Sequence, residues 1–309
     1  MIKSHNQMDK RYKMQYIPAK TIVTRTRDDS WFGTDYTMNI YKGCCHGCIY
    51  CDSRSDCYRV EKFDTVRTKE NALEIIRDEL RRKVKTGVVG TGAMSDPYNP
   101  FEQEFSLTRH SLELIDAYGF GTAIATKSSL ITRDIDILKL IRDHSPVICK
   151  ITITTFDDTI AKIIEPNADP SSTRFEALKK LTEAGIYAGL LLMPVLPFIN
   201  DNKENIVNIV RLAGKHGAKF IYPFFGVTLR SGQREYFYDR LEEGFPGIKD
   251  RYINRYGDNY QCTSPNSREL YRIFAEECEK HKILYRMKDI IRAYKAGYEY
   301  KQLSIFDYD

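Results

Sequence analysis

From about residue 36 to residue 226, short runs rich in β-branched residues alternate with stretches of helical period, and this alternation restricts the fold more than any other feature. It builds a parallel sheet from βα units, because parallel neighbours need a crossover long enough to hold a helix. Six units are predicted. Strands fall near 36–41, 87–92, 121–125, 147–154, 187–193 and 220–225, with helices near 71–85, 108–118, 134–144, 174–184 and 202–216. The first helix carries Leu73, Ile76, Leu80 and Val84 on one apolar face, and Gly119 and Gly185 stand where helix C-termini close. Beyond Gly226 the alternation stops, and helices are predicted near 233–241, 267–280 and 287–296. The chain thus divides into a polar, basic arm over 1–35, an α/β body over 36–226 and a helical extension with a tail over 227–309.

A chain of 309 residues, 42% hydrophobic, buries a full core as one large domain. It has no run of 18 apolar residues, and its first residues lack the charged-then-apolar pattern of an export signal, so a cytoplasmic protein with no membrane partner is expected. In a reducing compartment its eight cysteines are expected to stay unpaired, and the five between Cys44 and Cys57 point to a metal or redox site. Forty-seven basic against 42 acidic residues, a net charge of +5, is too mild an excess to decide for or against nucleic acid.

Parallel α/β folds place their chemistry in the loops after the C-terminal ends of the strands. The loop after strand one reads Gly43-Cys44-Cys45-His46-Gly47-Cys48-Ile49-Tyr50-Cys51, a C-x3-C-x2-C spacing with glycines suited to close wrapping. Three thiolates on such a loop each take one iron of a cubane and leave the fourth iron open to a substrate or cofactor. Cys45 offers a second register, C-x2-C-x2-C. A zinc site drawn from Cys45, Cys48, Cys51, Cys57 and His46 is chemically possible, although a small zinc module has no need of six βα units. Cys57, Cys149, Cys262 and Cys278 read as small buried apolar residues. Segments 93–98, 126–129 and 193–197 follow strands two, three and five and would share the same rim.

These residues resemble the radical S-adenosylmethionine (SAM) superfamily, and within it the spore photoproduct lyase-related group, also labelled DNA repair photolyase-like, from about Asn39 to the sixth strand. The segments that carry the resemblance are Gly43-Cys44 to Cys51, Ser95-Asp96-Pro97-Tyr98 with Glu102, Thr126-Lys127-Ser128 with Thr132-Arg133-Asp134, and Glu165-Pro166-Asn167-Ala168 with Ser172-Thr173-Arg174. The resemblance implies a partial (βα)6 TIM-like barrel with a C-terminal helical extension. It also implies a 4Fe-4S cluster on Cys44, Cys48 and Cys51, with Cys45 a neighbour, and SAM chelated at the open iron. Reductive cleavage of SAM would give methionine and a 5′-deoxyadenosyl radical that takes hydrogen from the substrate. Ser95, Asp96 and Lys127 fall on segments that contact the cofactor in the family. Arg174 is either a second cation for its carboxylate or a partner of Glu165 or Glu176. Tyr50 is expected near the adenine edge, and Met193 with Pro194 as an apolar wall. No further catalytic residue is identified.

Two departures separate the chain from the lyase itself. The lyase has a hydrogen-donating cysteine in the loop after strand two, where this chain reads Gly92-Ala93-Met94-Ser95-Asp96, and a tyrosine after the third cluster cysteine, where this chain has Asp52. The lyase's relay therefore does not transfer, and the substrate is open: DNA or a nucleotide-derived molecule first, then a peptide or small metabolite, then no reaction at all in a zinc-binding scaffold. A reductant such as flavodoxin or ferredoxin is implied. The tail Gln302-Leu303-Ser304-Ile305-Phe306 resembles the pentapeptide by which repair and replication proteins dock on the sliding clamp; alternatively it folds back over the open end of the barrel. The stretch over 282–301, with Tyr285, Arg286, Lys288, Arg292, Tyr294 and Lys295, offers phosphate contacts and stacking, or a solvated helix face.

Overall fold

The computed structural model describes residues 15–298. Its centre is a seven-stranded sheet in the order Ile221–Pro223, Ala188–Leu192, Val147–Thr152, Gly121–Thr126, Val88–Thr91, Tyr36–Met38 and Val23–Arg25. The first six strands run parallel, as the six-unit pattern requires, and the seventh pairs antiparallel with Tyr36–Met38. Among the described strands the two edges do not pair with each other, so the barrel is partial.

Side chains on both faces of the sheet are buried, which is why its strands read as continuous apolar runs. The outward residues Val89, Ile124, Cys149, Ile151, Leu190 and Leu192 share one core with helices Ala72–Arg81, Leu107–Ala117, Ile135–Arg142, Ser171–Glu183 and Lys203–Lys215. The inward residues Val88, Ala123, Ile148, Leu191 and Phe220 share another with Phe32, Ile290 and Tyr294. Every residue of Val147–Thr152 is consequently buried, Lys150 included. Two helices start on a polar side-chain cap: Asn202 accepts from the Asn205 N–H at 2.9 Å ahead of Lys203–Lys215, and Asp157 from the Thr159 N–H at 2.7 Å ahead of Asp158–Ile164.

The structure departs from the sequence reading in several places. The predicted first helix extends to Val84, but the helix stops at Arg81 and Val84 is fully exposed. Lys83 instead turns back to donate to the Val23 carbonyl at 3.0 Å. The edge strand Val23–Arg25 is too short to show a period of two; it is held by Glu79, whose carboxylate accepts the Ile22 and Val23 N–H groups at 3.0 and 2.6 Å. The predicted strand over 36–41 breaks. Tyr36–Met38 stays in the main sheet, and Tyr41–Lys42 pairs with Arg67–Lys69, which also pairs with Gln15–Ile17. Short helices Glu102–Phe105 and Asp158–Ile164 were not expected either.

Beyond Gly226, strands Gly226–Thr228 and Gln261–Thr263 pair antiparallel and bracket helices Gln233–Gly244 and Ile248–Tyr256. Helix Ile248–Tyr256 is polar in sequence. It docks through Tyr252 and Tyr256, one turn apart, into a third core with Ile49, Tyr50, Leu196 and Phe237, so this segment packs directly on the cysteine loop. Helix Ser267–Lys280 joins the outward core through Leu270, Phe274 and Cys278. Helix Met287–Lys295 sits under the inward core, with the Tyr294 hydroxyl donating to the Phe32 carbonyl at 2.6 Å.

Candidate active site

Backbone hydrogen bonds from three directions set the cysteine loop. The Cys44 N–H donates to the Phe63 carbonyl at 2.9 Å and the Ile49 N–H to the Ile164 carbonyl at 3.0 Å. Asn167 closes the outside: its backbone N–H donates to the His46 carbonyl at 3.0 Å and its amide to the Cys45 carbonyl at 2.9 Å. From the next loop, Ser95 Oγ donates to the Gly43 carbonyl at 2.5 Å. Gly43 has φ +82°, and a Cβ there would stand 2.4 Å from the Thr65 carbonyl oxygen, so the loop passes closer to its neighbour than a side chain allows.

The cysteines differ in what they sense. Burial raises the Cys44 thiol, with Asp96, Cys48 and Cys51 adding to it. Burial likewise pushes Cys48 up to about 12, with Lys127 opposing and Glu165 and Cys51 reinforcing. Cys45 is pushed up to about 11 by burial and feels Asp96 and Asp64 but no other cysteine, and it packs against the outward core. Cys44 thus senses both Cys48 and Cys51, and Cys48 senses Cys51, whereas Cys45 senses none of them. Bare thiolates are costly in such a site, and bound iron removes that cost by taking up their charge. Among the described residues no three His, Cys, Asp or Glu side chains gather as a single ion requires, whereas a cubane spreads three thiolates over three irons. All eight cysteines are free. Cys149, Cys262 and Cys278 are buried as expected, whereas Cys57 is exposed, 2.9 Å from Ser55 Oγ and 3.2 Å from an Arg230 guanidinium nitrogen that donates to it.

Asp96 joins two rim loops. Its Oδ1 accepts from the Tyr98 N–H at 2.9 Å and the Thr126 hydroxyl at 2.6 Å; its Oδ2 accepts from the Lys127 N–H at 2.8 Å and stands 3.4 Å from His46 Nδ1. Held this way, Lys127 is half-buried with its ammonium 5.6 Å from the centre of the Tyr50 ring, and it makes no hydrogen bond or ion pair among the described residues. Burial opposes its charge, but Cys48, Glu165, Cys51 and Asp96 outweigh burial and hold its pKa above the usual lysine value.

Arg174 pairs with Glu165 at 2.5 Å rather than with Glu176, and its other terminal nitrogen donates to the Thr152 carbonyl at 2.6 Å. The Tyr50 hydroxyl donates to the same Glu165 carboxylate. Burial works against the Glu165 charge, yet Arg174 and Lys127 prevail and keep its pKa below the ordinary range. Tyr50, Ser95, Asp96, Lys127 and Arg174 are therefore all tied to the cysteine loop, directly or through one residue. Met193, half-buried and joined to Pro194 by a cis peptide bond, packs on the inward core.

Sequence reasoning missed the residues that brace this arrangement. In the sequence Glu165 reads only as one possible partner of Arg174, without its bond to Tyr50, and Asn167 only as part of a segment that marks the resemblance. Gln233, 183 positions from Tyr50, donates to the Tyr50 carbonyl at 2.9 Å and carries no local signal. Glu102 and Arg133, also markers, prove to be scaffold: fully buried Glu102 accepts from Tyr41 at 2.6 Å, from the Thr108 N–H at 3.0 Å and from Arg133 at 2.8 Å.

Comparison with known proteins decides the family: the model of the radical SAM superfamily matches residues 38–213, more than half of the chain. The chain belongs to the radical SAM superfamily. It is therefore an enzyme whose cofactors are a 4Fe-4S cluster and SAM, and the coupled thiol trio beside an unpaired ammonium fits that pair. Among relatives of this radical SAM enzyme, the uncharacterized protein MJ0683 of Methanocaldococcus jannaschii is 30% identical over 242 residues, 77% of this chain and 86% of that one. The uncharacterized protein Rv2578c of Mycobacterium tuberculosis is 28% identical over 244 residues, 77% and 71% of the two chains. In fold the chain is similar to spore photoproduct lyase complexed with dinucleoside spore photoproduct (TM-score 0.62, 13% identity, 86% and 79% covered). It is also similar to the radical SAM methyltransferase TsrM of Kitasatospora setae with cobalamin and a [4Fe-4S] cluster bound (TM-score 0.56, 9% identity, 86% and 62% covered).

Two expected partner surfaces resolve differently. The tail motif 302–306 lies outside the described residues. The stretch after Lys282 is split: Tyr294 is buried and the Lys295 ammonium donates to the Gly33 carbonyl, whereas Arg286, Lys288 and Arg292 are exposed, Arg292 standing 3.4 Å from Asp289. No helix among the described residues is long and apolar enough to cross a membrane.

Proposed function

We propose that this radical SAM enzyme acts on nucleic acid or a nucleotide-derived substrate. The observation that carries this reading is an arginine set between two tyrosines beside the cysteine loop. The Arg230 guanidinium lies 5.0 Å from the Tyr260 ring and 5.8 Å from the Tyr58 ring, and it stands 3.4 Å from Asp52, the residue after Cys51. Tyr260 is half exposed. Aromatic faces interleaved with guanidinium groups stack bases and meet phosphates. The fold shared with a lyase solved with a dinucleoside lesion supports the same reading.

In this account Cys44, Cys48 and Cys51 hold the cluster, Lys127 receives the carboxylate of SAM, and Tyr50 and Met193 border its adenosine. Asp96 and Ser95 are positioning residues that fix the loops. Glu165 orients Tyr50, and Arg174 holds Glu165. Held by these three cysteines, a 4Fe-4S cluster would supply the electron for reductive cleavage of SAM, drawn from a flavodoxin- or ferredoxin-like donor. The loop after the second of the six parallel strands, which in the lyase carries a hydrogen-donating cysteine, reads Gly92-Ala93-Met94-Ser95-Asp96 and holds none, so the reaction on the substrate differs from the lyase's relay.

Anisotropy of a labelled single-stranded oligonucleotide, read across salt concentration, tests the substrate class. Binding that weakens steeply with salt and drops in Arg230→Ala and Tyr260→Ala is expected. Absence of binding at low salt would overturn the nucleic-acid reading in favour of a peptide or small metabolite.

A further inference from the structure

One lysine of the barrel is unaccounted for by the cluster site. Lys150 interrupts the apolar strand Val147–Thr152 and is 3% exposed. Alternation places it on the inward face with Ile148, and its ammonium stands 4.7 Å from the centre of the Phe32 ring in the inward core. Its registered neighbours on the two adjoining strands are Ala125 and Gly189, positions without bulk. Lys127 lies two residues beyond Ala125 on that inward face, about 7 Å further toward the rim.

Among the described residues no carboxylate meets Lys150. Its ammonium makes no hydrogen bond or ion pair, and the tyrosines of that core are Tyr187, Tyr222 and Tyr294; the Tyr294 hydroxyl donates to the Phe32 carbonyl and the Tyr187 hydroxyl has no partner among the described residues. An aromatic face offsets only part of the cost of burying an ammonium. A buried ammonium without an anion either gives up its proton or takes a counter-charge from outside the chain.

We propose that Lys150 docks an oxyanion of the substrate, a phosphate or a carboxylate, inside the barrel one layer below the SAM site. The assignment rests on the reading that the barrel interior holds the substrate of a radical enzyme. Burial lowers the Lys150 pKa from the usual value to about 8, with only the Cys149 thiol acting the other way, so the empty site spends part of its time as a neutral amine at mildly alkaline pH. An arriving oxyanion restores the charged form and raises that pKa.

Carbon-13 NMR of the reconstituted holoenzyme, labelled at lysine Cε and assigned with Lys150→Gln, reads this titration. Inorganic phosphate and acetate form the two arms, and the arm with the larger effect names the oxyanion. The expected result is an upward move of the Lys150 midpoint by about one unit or more, with binding weakened at least about tenfold in Lys150→Gln and retained in Lys150→Arg. A midpoint unmoved by either anion in wild-type protein overturns the proposal, whether or not that protein cleaves SAM. A moved midpoint in protein that fails to cleave SAM leaves the dock standing and removes the radical reading.

Discussion

The Glu165 carboxylate and the Arg174 guanidinium meet at 2.5 Å with both side chains only 1% exposed, and this pair holds the hydroxyl of Tyr50, which lies between Cys48 and Cys51 in the chain. Taking away one member leaves the other charge buried without its partner, which costs about 3–5 kcal/mol in such settings. Glu165→Ala and Arg174→Ala are therefore expected to lower stability by about that amount in chemical denaturation. The double variant Glu165→Leu/Arg174→Met should lose much less. Equal losses in the single and double variants would show that packing, not the pair, sets the effect.

Acid should act on the same pair. Glu165 has its pKa depressed in the folded state, so its contribution is complete above the unfolded-state value near 4.5 and is lost as pH falls through the lower folded value. Wild-type protein is expected to lose more stability than Glu165→Gln between about pH 5 and pH 3.

Cys48→Ala should abolish cluster assembly, while Cys57→Ala and Cys45→Ala should assemble it, since neither Cys57 nor Cys45 belongs to the coupled trio. Iron and sulfide analysis after anaerobic reconstitution checks this. Equal loss in the Cys48 and Cys45 variants would mean that the ligand register is C-x2-C-x2-C.

Gly43→Ala should impair the site without touching a ligand. The new Cβ meets the Thr65 carbonyl at 2.4 Å and the Phe63 carbonyl at 2.7 Å, both backbone atoms that cannot swing away, at a positive φ. A cost of roughly 1–3 kcal/mol is expected, together with reduced iron uptake.

Lys150 gives an alkaline signature. Its folded pKa, about 8, lies below the unfolded 10.5, so between those values the unfolded chain binds more protons and stability gains as pH rises. Relative to Lys150→Met, wild type should recover on the order of 3 kcal/mol across that window, and Lys150→Met should be the more stable protein at pH 7. Thermal denaturation of both proteins at pH 7 and pH 10 measures the difference.

What the sequence disclosed follows from how local each signal is. Six parallel strands were legible because each is apolar on both faces, and the cysteine spacing because it spans nine residues. Val23–Arg25 and Gln261–Thr263 were not, since three residues cannot display an alternation. Gln233 under Tyr50, Glu79 under Val23 and the Phe32 ring beneath Lys150 are contacts between distant segments, set by tertiary packing and absent from any local pattern. Lys150 did leave a trace: a lysine inside Val147-Ile148-Cys149-Lys150-Ile151 breaks an otherwise apolar strand.

The central claim is that Cys44, Cys48 and Cys51 hold a cluster whose open iron engages SAM. Anaerobically reconstituted protein, reduced with dithionite and given SAM, tests it by mass spectrometry of the nucleoside product. The account predicts 5′-deoxyadenosine and methionine in equal amounts, lost in Cys48→Ala. Protein carrying a full 4Fe-4S complement that leaves SAM intact under reduction would contradict it.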